Sequence, residues 1–495
     1  NMKVLLAASE CSPLVKVGGV ADVVGSLPIA LTQYGIDVRI VIPFYKDLAD
    51  KMLSRQANIK IDKIDEIQVK YGQKNLKVEL YSTFLPGTEI IVYLIKNDDL
   101  ITNGGIYFSP ETMASPEAEL ERFALFSKVI GQYFGTPNKI FYPDVIHCND
   151  WHTGMVPQVL QSISRFRDVP EQPRTIFTIH NLAYQGFSKL EVASKLELDI
   201  KNDRTLKWDA EDDNLDFVLQ GVVGSDYITT VSKKYSEEIQ TPEFGEGLHE
   251  ILNAREARLE GILNGISYEV FNPMTDREID FQYSTGDLKA GKQKNKEALL
   301  KSLGLEISNR PLLGIISRLA HQKGLDLVAE SLDEIMEMGY SVVILGTGDP
   351  QLEMIFKEYN SKTQFNKRYK ALITFSEKTA RQIYAASDMF LVPSRYEPCG
   401  LTQMIAMKYG SVPVVRGTGG LYDTVEENVT GYVYTGFSKV DMLKALKRAF
   451  SDFTSNKAKW ERIVINGVNR DYSWKESAKK YITLYKKATA LKQSY

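Results

Sequence analysis

The sequence predicts an α/β protein with two doubly wound parallel sheets. Apolar strand candidates alternate with amphipathic helical stretches through residues 1–268, starting with Lys3–Ala8 and a helical stretch that stops at Gly35. The same alternation begins again after about residue 270, at the apolar run Leu312–Ile316. Continuous apolar strands separated by helices are typical of parallel sheets that are covered by helices on both faces.

The length of 495 residues predicts two large domains or three smaller ones. We expect an N-terminal domain at residues 1–268, a C-terminal domain at 269–475 and a final amphipathic helix at 476–495. The polar stretch 271–292 has no strong periodicity and is the predicted hinge region. Within the first helical stretch, Pro28 interrupts the pattern, so a kink or a restart is expected there.

Composition excludes several classes of protein. The net charge of −3 gives no basic footprint for nucleic acid, and no apolar run is long enough to span a membrane. Cys11, Cys148 and Cys399 lie far apart and outside any CxxC pair, so neither a disulfide framework nor a zinc site is indicated. We expect a reducing compartment, and the N-terminus shows no signal-peptide pattern.

The first candidate ligand loop is a glycine-rich turn between the first strand and the first helix. Lys16 supplies a positive charge, while Gly18 and Gly19 let the backbone approach a ligand at a helix N-terminus. A plain tight turn is the alternative. The turn has neither the GxGxxG fingerprint of dinucleotide sites nor the GxxxxGK[ST] pattern of a P-loop.

Two further loops of the first half carry polar groups that suit sugar hydroxyls. In "HCNDWHTG", Asn149 and Asp150 lie between His147 and His152. A metal site is disfavoured because the two histidines have no third ligand clustered beside them, and a capped loop with a core tryptophan is the other alternative. His180 ends the apolar strand "RTIFTI", where a ligand loop of a parallel sheet begins, although taken alone this position favours a histidine satisfied by backbone groups.

The second half supplies cations and a second helix N-terminus. Arg318 and Lys323 lie in one strand-to-helix turn, which favours an anion clamp over two solvated charges. Glu397 precedes a turn and a helix whose first amides belong to Leu401 and Thr402, a second anion site. Repulsion from an anion there argues that Glu397 contacts hydroxyl groups. Cys399 has no nearby base and is interpreted as a packed thiol.

Together these residues favour an enzyme that acts on a nucleotide sugar. The cations and helix N-termini suit a diphosphate, and the carboxylates, amides and histidine suit a sugar. Several stretches then give a specific resemblance to the family of bacterial glycogen synthases and plant starch synthases, in that family's order: "KVGGVADVVGSLP", "HCNDWHTG", "FTIHNLAYQG", "TTVSKKYSEEI", "ILNGI", "SRLAHQKG", "LGTGD", "PSRYEPCGLTQMIAMKYG" and "TGGLYDTV".

The resemblance implies a GT-B fold, with two Rossmann-like domains facing across a cleft and a last helix that crosses back to the N-terminal domain. It implies a retaining glucosyltransferase that passes glucose from ADP-glucose to the non-reducing end of an α-1,4-glucan. The implied phosphate-binding groups are Lys16, Arg318, Lys323 and the amides of Gly19, Leu401 and Thr402; the implied sugar-binding groups are His180, Asn264, Glu397 and Gly400. Gly18 and Cys399 complete the donor loops, and Asp150 corresponds to an important aspartate of the family.

Some implications of the resemblance leave alternatives. Phe375 ends "ALITF", where the family often places an aromatic ring against adenine, although a core phenylalanine is nearly as compatible. Ser267 and Phe271 stand where the family usually has aspartate and tryptophan, which puts the hinge geometry in doubt. No pair of carboxylates for a double displacement is evident, so we expect a front-side mechanism in which the leaving phosphate helps to take the acceptor proton.

We expect no cofactor and no metal, because basic side chains can stabilise the leaving diphosphate. The expected partners are ADP-glucose and a glucan such as glycogen, amylopectin or amylose, with neither nucleic acid nor a membrane. A bacterial chain would act in the cytoplasm, and a eukaryotic one in the cytosol or plastid. Four alternatives stay open: a granule-bound synthase on a starch granule, UDP-glucose as the donor, a glucan phosphorylase, whose pyridoxal-phosphate lysine motif is not found, and a non-catalytic glucan-binding scaffold.

Overall fold

A computed structural model describes residues 1–54, 58–109, 115–137, 139–167 and 171–491 of the chain. The chain forms two compact units. The first unit comprises Asn1–Val231, Ser236–Ile262 and the chain from Trp474 onward, and the second comprises Ser232–Tyr235 and Leu263–Ser473. The main crossing from one unit to the other therefore falls between Ile262 and Leu263, a few residues before the predicted boundary at 268.

The strands of the first unit form one large, mostly parallel sheet. In the described part of the chain its order is β11-β10-β7-β6-β1-β2-β5-β4-β3, and β8 pairs with β9 in a small separate ribbon. The strands are β1 (Lys3–Ala7), β2 (Asp37–Pro43), β3 (Asp62–Tyr71), β4 (Lys74–Phe84), β5 (Ile91–Lys96), β6 (Val145–Asn149), β7 (Arg174–Ile179), β8 (Phe187–Lys189), β9 (Asn214–Asp216), β10 (Tyr227–Thr230) and β11 (Leu259–Gly261).

The helices of the first unit are α1 (Gly19–Gln33), α2 (Lys46–Leu53), α3 (Pro116–Phe134), α4 (Val156–Arg167), α5 (Glu191–Lys195), α6 (Arg204–Asp209), α7 (Phe217–Gly224), α8 (Lys233–Glu238), whose first residues belong to the second unit, and α9 (His249–Ala254). They include the three that the hydrophobic pattern predicts in this part of the chain, α1, α4 and α8. The prediction of a cap at Ser232 is confirmed, since its hydroxyl accepts the amide of Tyr235 at 3.1 Å. Pro28 lies inside the continuous helix α1, so the predicted restart of the helix is wrong.

The second unit contains a six-stranded parallel sheet with the order β14-β13-β12-β15-β16-β17 in its described residues. Its strands are β12 (Leu312–Ile316), β13 (Ser341–Leu345), β14 (Tyr369–Leu372), β15 (Met389–Val392), β16 (Val412–Arg416) and β17 (Tyr432–Tyr434). Its helices are α10 (Leu288–Ser302), α11 (Leu325–Glu330), α12 (Leu332–Met338), α13 (Pro350–Tyr359), α14 (Glu377–Ala386), α15 (Thr402–Lys408), α16 (Gly419–Thr424), α17 (Lys439–Ser455) and α18 (Lys457–Val468).

The polar stretch 271–292, which was expected to be the hinge, lies within the second unit. It is fixed there by long-range contacts. The Tyr283 hydroxyl donates to the carbonyl of Tyr409 at 2.6 Å, and Asn295 both accepts from the Phe281 amide and donates to the Phe281 carbonyl. Up to residue 287, where α10 has not yet begun, side-chain-to-backbone bonds hold the segment, and this part of the sequence therefore lacks strong periodicity.

The last helix, α19 (Trp474–Thr489), returns to the first unit and packs against α1, β6 and β7. Tyr481, Leu484 and Tyr485 are fully buried in that unit's core. The Tyr485 hydroxyl lies 2.7 Å from Nδ1 of the buried His147, whose Nε2 lies 2.6 Å from the Thr178 hydroxyl. No helix of the described residues is long and apolar enough to cross a membrane.

Candidate active site

The glycine-rich turn after β1 is organised by a carboxylate that the sequence analysis did not single out. Glu10 is 1% exposed, and its Oε2 accepts the Val17 amide at 2.6 Å. The amide of Gly18 donates to both Glu10 oxygens, at 3.2 Å and 3.1 Å. The Gly18 amide is therefore occupied by the protein itself, and helix α1 begins one residue later at Gly19.

Lys16 and Gly19 form the accessible side of this turn. The Lys16 ammonium pairs with Asp22, in the first turn of α1, at 2.9 Å, and both side chains are more than a third exposed. A Cβ atom built at Gly19 would meet nothing within 4 Å. The absence of a side chain at Gly19 thus leaves open space beside the first amides of α1 and the lysine, which is what an approaching anion requires.

Three polar residues lie together at the ends of β6 and β7: Asn149, Asp150 and His180. The backbone amide of His180 donates to Asp150 Oδ1 at 2.8 Å, and His180 Nε2 lies 2.9 Å from Asn149 Oδ1. Because the Asn149 oxygen is an acceptor, Nε2 carries the hydrogen of the neutral ring. Asp150 has a positive φ of 56°, a strained conformation for a residue other than glycine that often marks functional sites.

Burial sets the charges of this group. It raises the pKa of Asp150 to about 7, although the amides of His180 and Asn181 act in the opposite direction, and the charge of Glu10 raises it further. Burial also lowers the pKa of His180 to about 4. His180 is therefore neutral at neutral pH and can offer hydrogen bonds without a competing positive charge, while Asp150 can gain or lose a proton there.

The remaining aromatic residues of the "HCNDWHTG" loop are structural. His147 is bonded at both ring nitrogens, to Thr178 and to the last helix. Trp151 is buried and stacks on His152 with ring centroids 4.2 Å apart, and Phe123 packs edge-on against both rings. Trp151 is therefore a core tryptophan, as the alternative expected, while the role of Asn149 and Asp150 in binding stays a prediction. In the described ranges, no group of three or more His, Cys, Asp or Glu side chains is arranged to hold a metal ion.

In the second unit, Lys323 and Glu397 form a close ion pair. The Lys323 ammonium lies 2.8 Å and 2.9 Å from the two Glu397 oxygens, and the hydroxyl of Ser394 donates to the same carboxylate at 3.3 Å. The Glu397 side chain is 9% exposed and that of Lys323 is 22% exposed. The predicted repulsion between Glu397 and an anion is therefore relieved by Lys323, which retains a third N–H for a ligand.

Arg318 follows β12 and is exposed. Its guanidinium has no hydrogen-bond or ion-pair partner among the described residues, so it is available to an anion. Phe375 follows the end of β14 and is 66% exposed. The alternative of a core phenylalanine is therefore wrong, and the stacking of Phe375 against adenine stays a prediction.

Glycine is required where the loops of the second unit touch. A Cβ on Gly419, which has a positive φ, would lie 1.8 Å from the Glu397 carbonyl oxygen, and one on Gly420 would lie 1.9 Å from that of Cys399. The amide of Gly420 donates to the carbonyl of Glu397 at 3.1 Å. The "GTGG" loop thus forms a backbone support directly behind the "EPCG" turn and fixes the position of Glu397.

Five further predicted residues complete this group: Asn264, Cys399, Gly400, Leu401 and Thr402. Asn264 is buried, and its Oδ1 has no partner within the described structure. Its backbone amide bonds to the Cys399 sulfur, whose pKa burial raises to about 12, so the interpretation of a packed thiol fits and a nucleophile does not. Gly400 has a positive φ, and α15 begins at Thr402 after Leu401, whose side chain does not cap it.

Phe271, which stands where the family usually has tryptophan, retains an aromatic packing role. The guanidinium of Arg381 lies 4.6 Å from its ring centroid, donates to the Val270 carbonyl at 3.2 Å and pairs with Asp276. The amide of Phe271 donates to the carbonyl of Ser267 at 2.8 Å. Backbone and arginine contacts therefore hold this turn without the usual aspartate side chain.

Comparison with known proteins agrees with the arrangement. The family model of the starch synthase catalytic domain matches residues 3–254, and that of glycosyl transferases group 1 matches residues 300–468. The glycogen synthase of Kosmotoga olearia is 39% identical over 501 residues and covers 98% of both chains. That of Gloeobacter violaceus is 39% identical over 497 residues and covers 99% of both.

Solved structures give the same result. The catalytic domain of Starch Synthase IV from Arabidopsis thaliana, bound to ADP and acarbose, superposes with a TM-score of 0.83 at 32% identity and covers 99% of both chains. Sucrose-phosphate synthase from Thermosynechococcus elongatus, at 17% identity and a TM-score of 0.59 over 98% of this chain and 99% of its own, shares the fold alone. The GT-B fold class is confirmed, and the chain belongs to the family of glycogen and starch synthases.

Proposed function

We propose that this chain is a glycogen or starch synthase, which transfers glucose from ADP-glucose to the non-reducing end of an α-1,4-glucan with retention of configuration. The observation that carries the proposal is the Lys323–Glu397 pair, at 2.8 Å and 2.9 Å. It joins a cation suited to a diphosphate with a carboxylate suited to sugar hydroxyls. The full-length similarity to glycogen synthases, and to a starch synthase solved with ADP and acarbose, supports this choice of substrates.

Departure of ADP leaves positive charge on the anomeric carbon and negative charge on the diphosphate. Arg318, with its unoccupied guanidinium, and the third N–H of Lys323 stabilise that negative charge in the transition state. Within the first unit, Lys16 and the amides at the start of α1 form a second cationic group that can bind a phosphate. Each charge-assisted hydrogen bond that strengthens as the bond breaks contributes about 1.5–3 kcal/mol.

Glu397 serves to position the donor sugar. Both of its oxygens are engaged by the Lys323 ammonium, and a carboxylate so neutralised is a poor nucleophile. The 4-hydroxyl of the glucan therefore attacks from the face that ADP leaves, and the leaving phosphate accepts its proton. His180, neutral because burial lowers its pKa to about 4, donates from Nε2 to Asn149, so its Nδ1 is the atom that can accept a hydrogen bond from a glucose hydroxyl.

We further propose that catalysis needs no metal ion, since the lysines and the arginine supply positive charge at the diphosphate. Transfer in the presence of excess EDTA tests this point. We expect the rate to equal that without chelator, and strong inhibition that added Mg²⁺ reverses would contradict it.

The decisive experiment measures glucose transfer to glycogen and to amylopectin from ADP-glucose and from UDP-glucose in parallel. Transfer from ADP-glucose alone supports the proposal and assigns the donor. Transfer from both donors supports the mechanism and shows that the site does not select between the adenine and uracil bases of the donor. If the folded protein transfers glucose from neither donor, the proposed enzymatic function is wrong and a non-catalytic glucan-binding role takes its place. Retention of the purified chain on starch granules distinguishes a granule-bound synthase from one acting on dissolved glucan.

A further inference from the structure

We propose that Glu10 is a positioning residue for the donor diphosphate, because its buried carboxylate accepts backbone amides of the Lys16–Gly19 turn and so holds the turn in its binding conformation. The inference rests on the proposed function, since it assumes that this turn receives the diphosphate. Glu10 itself would touch no substrate. It would act through the backbone of the turn and through the placement of Lys16.

The contacts of Glu10 are directed at the turn. Its carboxylate receives the Val17 amide at 2.6 Å and the Gly18 amide at 3.1 Å, so two successive backbone N–H groups point inward. A Cβ on Gly18 would lie 3.4 Å from Glu10 Oε1, in ordinary contact. The amides of residues 17 and 18 are thus turned toward Glu10, which fixes the backbone of a turn whose residues 16 to 19 are all exposed.

The surroundings of Glu10 make the arrangement rigid. Tyr107 hydrogen-bonds to Glu10, and its hydroxyl also lies 2.9 Å from that of the neighbouring Ser9. The hydroxyl of the buried Tyr45 donates to the Ser9 carbonyl at 2.6 Å. Tyr107 thus anchors the carboxylate directly and Tyr45 fixes the backbone of the adjacent Ser9. A buried acceptor held in this way restricts the turn to one conformation.

The same geometry explains how a turn of this kind can bind an anion although a carboxylate lies within it. Glu10 is satisfied by amides that face the protein interior. The amides of Gly19 and Val20 and the Lys16 ammonium remain for the ligand, whereas the Ala21 amide bonds to Glu10 as well. Asp22, which pairs with Lys16 at 2.9 Å, limits the lysine's movement. The anion and Glu10 therefore use different donors of one loop.

The test is direct binding of ADP, measured by titration calorimetry on the full chain. Glu10→Gln keeps the side-chain shape but directs an NH2 group at backbone amides. We expect ADP to bind roughly tenfold more weakly, about the effect of one lost hydrogen bond. Glu119→Gln is the control, since Glu119 is a half-buried carboxylate of the first unit that likewise accepts a backbone amide, that of Phe108. It should bind ADP like the wild type.

A double-mutant cycle with Lys16→Met distinguishes positioning from a general loss of structure. If Glu10 acts by placing Lys16, Glu10→Gln should weaken ADP binding much less in the Lys16→Met background than in the wild type. Fully additive effects would overturn the inference, as would wild-type ADP affinity in Glu10→Gln. Should Glu10→Gln fail to fold, Glu10→Asp, which keeps the charge but shortens the reach, should also bind ADP more weakly, and wild-type affinity there would refute the idea.

Kinetics provide a second readout. The Michaelis constant for ADP-glucose should rise in Glu10→Gln while that for glycogen stays unchanged, a split that a merely structural defect would not produce. The failure of the inference is distinct from that of the proposed function. If the proposed function is wrong, the wild type itself neither binds ADP nor transfers glucose. If only the inference is wrong, the wild type does both and Glu10→Gln does them equally well.

Discussion

Replacing Glu397 by glutamine removes one charge from the Lys323–Glu397 pair and leaves its shape. The pair has two contacts, of 2.8 Å and 2.9 Å, and its side chains are 9% and 22% exposed. Breaking a fully buried pair by removing one partner costs about 3–5 kcal/mol. Here Lys323 retains some access to water and glutamine retains one acceptor oxygen, so we expect a loss of about 2 kcal/mol, close to one charge-assisted hydrogen bond.

Calorimetry of the full chain measures the stability effect. For a unit of about 200 residues, a loss of about 2 kcal/mol lowers the transition temperature by roughly 4–8 °C. Glu427→Gln is the matched control, because Glu427 pairs with Arg448 at 3.2 Å in the same unit but with side chains 38% and 46% exposed. Exposed pairs contribute about 0–1 kcal/mol, so its transition should move little.

Turnover separates the role of Glu397 in catalysis from its role in stability. At a temperature where the variant is folded, transfer from ADP-glucose to glycogen should fall at least about 100-fold, since misplacement of a reacting group by about 1 Å has an effect of that size. Wild-type turnover in Glu397→Gln would refute the positioning role. A transition temperature equal to that of Glu427→Gln would refute the energetic argument for the pair.

Three further predictions concern the first unit. Lys16→Ala should raise the Michaelis constant for ADP-glucose and lower turnover, and wild-type kinetics would remove this lysine from the diphosphate site. Burial raises the pKa of Asp216 to about 7, so the ionisation of Asp216 destabilises the fold as pH rises from about 4 to 7. Asp216→Asn can still accept the Leu219 amide, and its stability relative to the wild type should increase across that pH range in thermal melts. A stability difference that does not change with pH would contradict this. Tyr485→Phe leaves a buried nitrogen of His147 unpaired and should cost about 1–3 kcal/mol in urea unfolding, whereas an unchanged midpoint would show that the bond is not needed.

Elements with strong hydrophobic patterns could be predicted from the sequence. Continuous apolar runs predicted β1, β2, β6, β7 and, in the second sheet, β12 to β16, and their order in the chain was sufficient for the fold class. The antiparallel strands β3 and β4 were not predicted. Most residues of β3 are exposed or half-buried, so its pattern lacks the continuous apolar run of a central strand.

The candidate site was predictable in its loops but not in its pairings. Lys323 and Glu397 are 74 positions apart, and nothing local indicates that they meet. His147 was grouped with Asp150 because both lie in one short loop, yet its partner Tyr485 lies 338 positions away. A carboxylate at Glu10, just after an apolar strand and before a glycine pair, was the one local signal that could have indicated the support of the turn.

The return of α19 to the first unit has a consequence for the order of synthesis. The ribosome makes most of the first unit early, but the fully buried Tyr481, Leu484 and Tyr485 that complete its core come from the last helix. While the second unit is translated, the core of the nascent first unit lacks α19, and His147 lacks its partner from that helix. The second unit, apart from Ser232–Tyr235, is one continuous stretch and can fold as it emerges. The domain that is begun first is thus the one that is finished last.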